Sequence, residues 1–196
     1  MTLDLDEGWY SQGQLTVLRS VAASIVGLEG MCIEVGCWKG NSTIAIAQAL
    51  PDGAICAVDT WKGSTDESAD HDTVKIAQAQ DIKEVFKENM RIAGVQDSIV
   101  MFAMDWRDFF TAYMPQMKRD GIRFLHIDGS HDYKSVSDNI AAALPYMVHH
   151  GVICGDDIAT AHRGRDDLQG GVERAVSELL VGYTQFGNFW YWRKRI

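Results

Sequence analysis

Three aspartates and one histidine in the second half of this 196-residue chain carry the densest chemistry of its sequence. Asp128 closes the apolar run IRFLHID (122–128), and Asp156 and Asp157 close another, GVICGDD (151–157). Short apolar runs rich in β-branched residues are buried strands, so these acids stand at strand ends. They lie 156 − 128 = 28 residues apart in the chain and meet in space if the two strands are close. Bare carboxylates at that range repel one another unless protons or a cation intervene. A set of carboxylate oxygens suits Mg²⁺, with Mn²⁺ or Ca²⁺ as alternatives, and does not suit a structural zinc site. The expected metal ligands are therefore Asp128, Asp156 and Asp157. His131, three residues past Asp128, has an ordinary pKa of about 6.5 and stands where it can take a proton from a reacting hydroxyl. The competing reading makes His131 a structural cap or a metal ligand. His126, on the strand itself, reads as a packed core histidine, and His149 and His150 precede a turn glycine and read as exposed.

A second constellation lies near the start. CIEVGCWKGNST (32–43) puts Glu34 on a strand, Gly36 at its exit, Gly40 four residues on, and Ser42 and Thr43 at the opening of a helix. Gly36 permits a tight turn and Gly40 a close approach by backbone or ligand. The spacing differs from the three-glycine dinucleotide fingerprint and from the lysine-bearing phosphate loop, so the turn is not built for a pyrophosphate. The next strand, AICAVD (54–59), ends in Asp59, 59 − 40 = 19 residues after Gly40. A carboxylate there accepts hydrogen bonds from a ribose diol; a turn-capping aspartate is the alternative. Both features point to a nucleoside without a phosphate.

The elements that must position these residues follow from periodicity. Leu15, Leu18, Ala22 and Ile25 recur at helical steps, so residues 11–27 read as a helix. Strands are expected at 31–36, 54–59, 98–103, 122–128 and 151–157, with helices at 41–50, 82–93, 106–117, 135–147 and 172–180. Strands alternating with helices demand a parallel sheet covered on both faces. GYTQFG and NFWYWRK, back to back around Gly187-Asn188, read as an antiparallel hairpin. The expected architecture is α/β: a Rossmann-like, doubly wound, mainly parallel seven-stranded sheet ending in that hairpin. One domain is expected over 1–196, with an N-terminal helical segment about 8–28, a core about 30–180 and the hairpin about 182–194. Segment 60–81 reads as an unusually long connection, of the kind that forms lids.

Glu-x-Gly-x-x-x-Gly with Ser42 and Thr43, followed by Asp59, resembles the class I S-adenosylmethionine-dependent methyltransferases. HIDGSHDY (126–133), GVICGDD and GGVERAV (170–176) resemble the small-molecule O-methyltransferase branch grouped with macrocin and cephalosporin-pathway enzymes, and catechol O-methyltransferase at the same strand ends. The resemblance implies that Glu34, Gly36, Ser42 and Asp59 hold the methionine and ribose parts of S-adenosylmethionine. It also implies a divalent ion bound through two acids and an amide, with Asp157 standing where that amide would be. Trp38, Trp61 and Trp106 each follow a different one of the first three strands. Tryptophans there flank an adenine or face a sulfonium through a cation–π contact, or else pack the rim. Trp106, beside Met104 and Asp105, is the expected adenine contact, and Trp61 a mobile cover. The expected cofactor set is thus Glu34, Gly36, Trp38, Gly40, Ser42, Asp59, Trp61, Asp105, Trp106 and Asp128, with His131 and Asp128 catalytic. The implied acceptor is a small hydroxylated molecule, a sugar or a phenolic natural product. Its pocket is expected to be walled by Trp9, Tyr10 and Gln12, by segment 60–81, and by loop 158–170 with His162, Arg163 and Arg165.

Composition narrows the rivals. With 18 basic against 27 acidic side chains and a formal net charge of −9, the chain is unsuited to nucleic acid or anionic lipid. No apolar run spans a bilayer, and the acidic start lacks a signal-peptide layout, so a cytoplasmic protein is expected. Cys32, Cys37, Cys56 and Cys154 form no C-x-x-C pair and read as reduced core thiols. A homodimer is compatible with all of this. A nicotinamide-dependent oxidoreductase would need the missing three-glycine turn, while a non-catalytic nucleoside-binding module shares the pocket.

Overall fold

The computed structural model describes residues 2–6, 9–64, 72–159 and 170–195. In chain order the elements are α1 (Gln12–Ala23), β1 (Met31–Val35), α2 (Asn41–Ala49), β2 (Ile55–Asp59), α3 (Asp72–Ala79), α4 (Ile82–Ala93) and β3 (Ile99–Ala103). They continue with α5 (Trp106–Asp120), β4 (Ile122–Ile127), α6 (Tyr133–Ala143), β5 (Met147–Gly155), α7 (Gly171–Leu179), β6 (Thr184–Phe186) and β7 (Phe189–Arg193). The seven strands form one sheet in the order β3-β2-β1-β4-β5-β7-β6. β1 to β5 are parallel, and β7 runs antiparallel to both β5 and β6.

The period-two alternation of each strand divides the core into two layers. Cys32, Ala57, Phe124 and Cys154 face α1, α2 and α4. Ile33, Val58, Leu125 and Ile153 face α5, α6 and α7. Helices on both faces make the sheet doubly wound, as its sequence predicts. All four cysteines are free and three are buried.

Strand order reverses between β1 and β4, and in such sheets the crevice beyond the carboxyl ends at that switch binds the ligand. Register fixes what meets there. Val35 pairs with Val58 and Ile127, and Ile127 with Gly155, so Gly36, Asp59, Asp128 and Asp156 follow directly at one rim. Gly36 has φ +84°, and a Cβ on it would lie 2.1 Å from the Asp128 carbonyl oxygen. Glycine is thus required for packing of β1 against the β4 exit. At Gly40, with φ +92°, a Cβ would lie 2.2 Å from Met90 Cε, so the close approach is made by α4.

Several elements differ from expectation. The first helix stops at Ala23. Segment 60–81 holds α3, whose Thr73 and Val74 are buried, while residues 65–71 lie outside the described ones. The helix expected over 135–147 ends at Ala143, because Pro145 cannot continue it, and β5 already starts at Met147.

Candidate active site

A cleft of about 510 Å³ opens at the switch point, lined by the exits of all five parallel strands and by the N-terminal segment. One end of it is built on Asp59. One carboxylate oxygen accepts the Trp38 backbone N–H at 2.8 Å and the other that of Trp61 at 2.6 Å. Both tryptophans have left-handed backbones, φ 46° and 54°, a conformation that costs a non-glycine residue about 1–3 kcal/mol and persists only when held. The Trp61 indole N–H also donates to the Trp38 carbonyl at 2.9 Å. Burial pushes the Asp59 carboxyl up, against the pull of those backbone donors.

Trp61 is not the expected mobile cover. It is 5% exposed, belongs to the core layer and lies with its ring 5.3 Å from that of Phe86. Trp38 lines the cleft and stacks on Trp9 at 5.8 Å. Gly36, Gly40, Ser42, Asp105 and Trp106 are on the cleft wall. Asp105 caps α5 by accepting the Arg107 N–H at 2.8 Å, and the Arg107 guanidinium covers one Trp106 face at 4.5 Å.

Glu34 departs from its expected role as a cofactor contact. It is fully buried beneath the cleft and is not part of its wall. Thr43 Oγ1 donates to one carboxylate oxygen at 2.5 Å, and His126 Nδ1 lies 3.1 Å from the other. The Tyr10 hydroxyl lies 3.3 Å from His126 Nε2 and donates to Asp128 Oδ2 at 2.7 Å. A chain Thr43–Glu34–His126–Tyr10–Asp128 therefore runs from α2 under the sheet's rim to the acids. Burial opposes charging of His126, but Glu34, with Asp128 and Asp156 beyond it, outweighs burial and holds the imidazole above its usual range. A buried ion pair with its remaining valences satisfied is the arrangement that tolerates such a charge.

At the acid end the expected trio is not the one that meets. Ligand atoms of Asp128, His131 and Asp157 lie within 4.8 Å of one another, and His131 Nε2 is 2.9 Å from Asp157 Oδ2. Asp157 reaches this position through a left-handed backbone, φ 60°. Asp156 turns instead to Gln14, whose Nε2 donates to its two oxygens at 2.7 and 2.9 Å. Burial, helped by the Asp157 charge, pushes the Asp128 carboxyl up to about 6, against the pull of His126, His131 and the Tyr10 hydroxyl. Burial and the charges of Asp128 and Asp157 push Asp156 up to about 7.

Several participants escape a sequence reading. The first residues lie across the cleft: Lys39 Nζ contacts Asp4 and Asp6 at 3.1 and 3.0 Å, and the Trp38 indole N–H donates to Asp6 at 2.5 Å. Asn188, in the β6–β7 turn, lines the rim, and its carbonyl accepts the Ile158 N–H at 3.0 Å. Gln14 carries only a capping signal in sequence, three residues after Ser11. Tyr10, expected as an acceptor wall, is a partner of the acids. His162, Arg163 and Arg165 lie outside the described residues. Among the described residues no helix is long and apolar enough to cross a membrane.

A family model described as a methyltransferase domain matches residues 33–158. No curated protein matches the sequence. Among solved structures, the O-methyltransferase from Bacillus cereus in complex with SAH is similar at TM-score 0.70 and 18% identity, covering 97% of this chain and 85% of its own. The O-methyltransferase TomG from Streptomyces achromogenes, involved in tomaymycin synthesis and solved with SAM, is similar at TM-score 0.66 and 19% identity, covering 97% and 84%. The O-methyltransferase NovP is similar at TM-score 0.64 and 18% identity, covering 93% and 79%. The matched region runs from β1 to the acids after β5, and the chain belongs to the methyltransferase-domain family.

Proposed function

We propose that the chain transfers the methyl group of S-adenosylmethionine to a hydroxyl oxygen of a small molecule, with a divalent cation at the acid end of the cleft. The observation that carries this is the meeting of Asp128, His131 and Asp157 in the same cleft as Asp59 and the Gly36–Ser42 turn. Asp59, already fixed by two backbone donors, offers its remaining lone pairs to a ribose diol. Ser42 and the turn backbone accompany the methionine part, and Trp106 with Asp105 walls the adenine. Glu34 supports this site from below through Thr43 and His126. The fold shared with O-methyltransferases solved with SAM or SAH supports the same assignment.

Two carboxylates and an imidazole fit a divalent ion, and the donor set suits Mn²⁺ or another first-row ion better than Mg²⁺. Such an ion lowers the pKa of a hydroxyl that it touches and orients its oxygen. Alignment of donor and acceptor in one cleft contributes about 7–11 kcal/mol of the barrier. The 2.9 Å contact of His131 with Asp157 favours a second reading, in which Asp157 orients His131 as the general base and no ion is needed. The acceptor class, a sugar or phenolic hydroxyl, completes the proposal.

Calorimetric titration with S-adenosylmethionine, after EDTA treatment and again with Mn²⁺ or Mg²⁺, tests both readings. Binding of S-adenosylmethionine in preference to NAD⁺ is expected, and preference for NAD⁺ would remove the methyl-transfer assignment. Product formation across hydroxylated sugars and phenols that survives EDTA would select the His131 base over the cation.

A further inference from the structure

Asp156 and Asp157 are neighbours in the chain with opposite placements. Asp156 follows Gly155, which pairs with Ile127, so it is next to Asp128 across the β4–β5 ladder. Register alone would make it the natural partner of Asp128. Its carboxylate is nevertheless engaged by Gln14 at both oxygens, and its backbone carbonyl accepts the Trp190 indole N–H at 3.2 Å. Asp157, with a left-handed backbone, places its Oδ2 2.9 Å from His131 Nε2. The Gln14 side chain is itself fixed at its other end, because its Oε1 accepts the Ser11 N–H at 2.9 Å. Gln14 is 9% exposed and Asp156 5%, so the amide–carboxylate pair is sheltered from competing water.

We infer that Gln14 determines which cation the site takes. By engaging Asp156 it leaves a donor set of Asp128, Asp157 and His131, two oxygens and one nitrogen. Imidazole nitrogen favours Mn²⁺, Co²⁺ and Zn²⁺ over Mg²⁺, which prefers oxygen ligands in octahedral geometry. Release of Asp156 adds a third carboxylate beside Asp128 and turns the site toward Mg²⁺. The inference rests on the cation reading proposed above and concerns only the side chains that select the ion.

The test is calorimetric titration of the metal-stripped protein with Mn²⁺ and with Mg²⁺, and needs no acceptor. The parent chain is expected to bind Mn²⁺ at least about tenfold more tightly than Mg²⁺, following the imidazole preference. Asp157→Asn should lose about tenfold or more in Mn²⁺ affinity, whereas Asp156→Asn should stay within about threefold, because only the first removes a ligand. Gln14→Met should strengthen Mg²⁺ binding about fivefold or more, and Gln14→Met/Asp156→Asn should return the ion preference to that of the parent. Gln14→Glu keeps an acceptor for the Ser11 N–H while losing the donor to Asp156. It should shift preference in the same direction even if Gln14→Met weakens the start of α1. Equal losses for Asp156→Asn and Asp157→Asn, or an unchanged preference in both Gln14 variants, would overturn the inference and leave the cation reading intact. Binding of neither ion by the parent chain would overturn both.

Discussion

The two ends of the cleft are organised differently. At one end, Asp59 is held by backbone donors only 2 and 21 residues away in the chain, from Trp61 and Trp38. At the acid end, Asp128 and Asp156 are held by side chains 118 and 142 residues away, Tyr10 and Gln14. The first end is set by the strand-to-turn geometry of β1 and β2. The second is complete only when the N-terminal segment is docked. Substitutions at the first end should therefore act on local conformation and cofactor binding together, and those at the second on the acids alone.

Asp59→Ala should have the largest effect. It removes two charge-assisted bonds, each worth about 1.5–3 kcal/mol, from backbones held in the left-handed region. S-adenosylmethionine affinity should fall about 100-fold or more, with a lower melting temperature, as read by calorimetry and thermal melts. Unchanged affinity would separate Asp59 from the nucleoside.

The acid end should make stability depend on pH. Unfolded aspartates ionise near pH ~4, whereas folded Asp128 and Asp156 keep their protons up to about 6 and about 7. Between those values the folded state binds more protons, so stability falls as pH rises. His126, held above its usual range, acts in the same direction, since its contribution is lost as pH rises through its folded value. Metal-stripped protein should lose on the order of 2 kcal/mol between pH ~5 and ~8. Asp156→Asn should flatten the trend, and a melting temperature that rises with pH would contradict it.

Tyr10→Phe should cost about 1–2 kcal/mol in stability, as Asp128 loses its buried donor. S-adenosylmethionine affinity should stay within about threefold of the parent, while cation binding weakens about tenfold through the loss of an outer partner. A larger loss of cofactor than of cation affinity would erase the distinction between the two ends. Trp9→Ala, at a residue 48% exposed, should cost least, about 0.5–1.5 kcal/mol for the stack on Trp38, measured in denaturant.

The same division explains what can be read from sequence. The mainly parallel sheet, both helical layers and the rim positions of Gly36, Asp59, Asp128 and Asp157 follow from periodicity and from the rule that ligands bind at strand exits. Asp156 defeats that rule because a strand-end position says nothing of a glutamine 142 residues earlier. Glu34 and His126 sit at paired positions of β1 and β4, and two polar residues on adjacent buried strands are a signal that they satisfy each other. Trp61 misleads because its sequence neighbours are polar, while α4 supplies the apolar surface against its ring. Helix α3 follows an acidic stretch whose composition hides the buried Thr73 and Val74.

The fit of Gly36 against the Asp128 carbonyl sets a gauge for the whole cleft. With 2.1 Å between that oxygen and the site of any added Cβ, the exits of β1 and β4 touch main chain to main chain. The span from the Asp59 carboxylate to the acids is thus ruled by peptide geometry rather than by adjustable rotamers. Evolution can refit the acceptor by changing the walls, yet even one extra methyl at position 36 would shift both termini of the ruler at once.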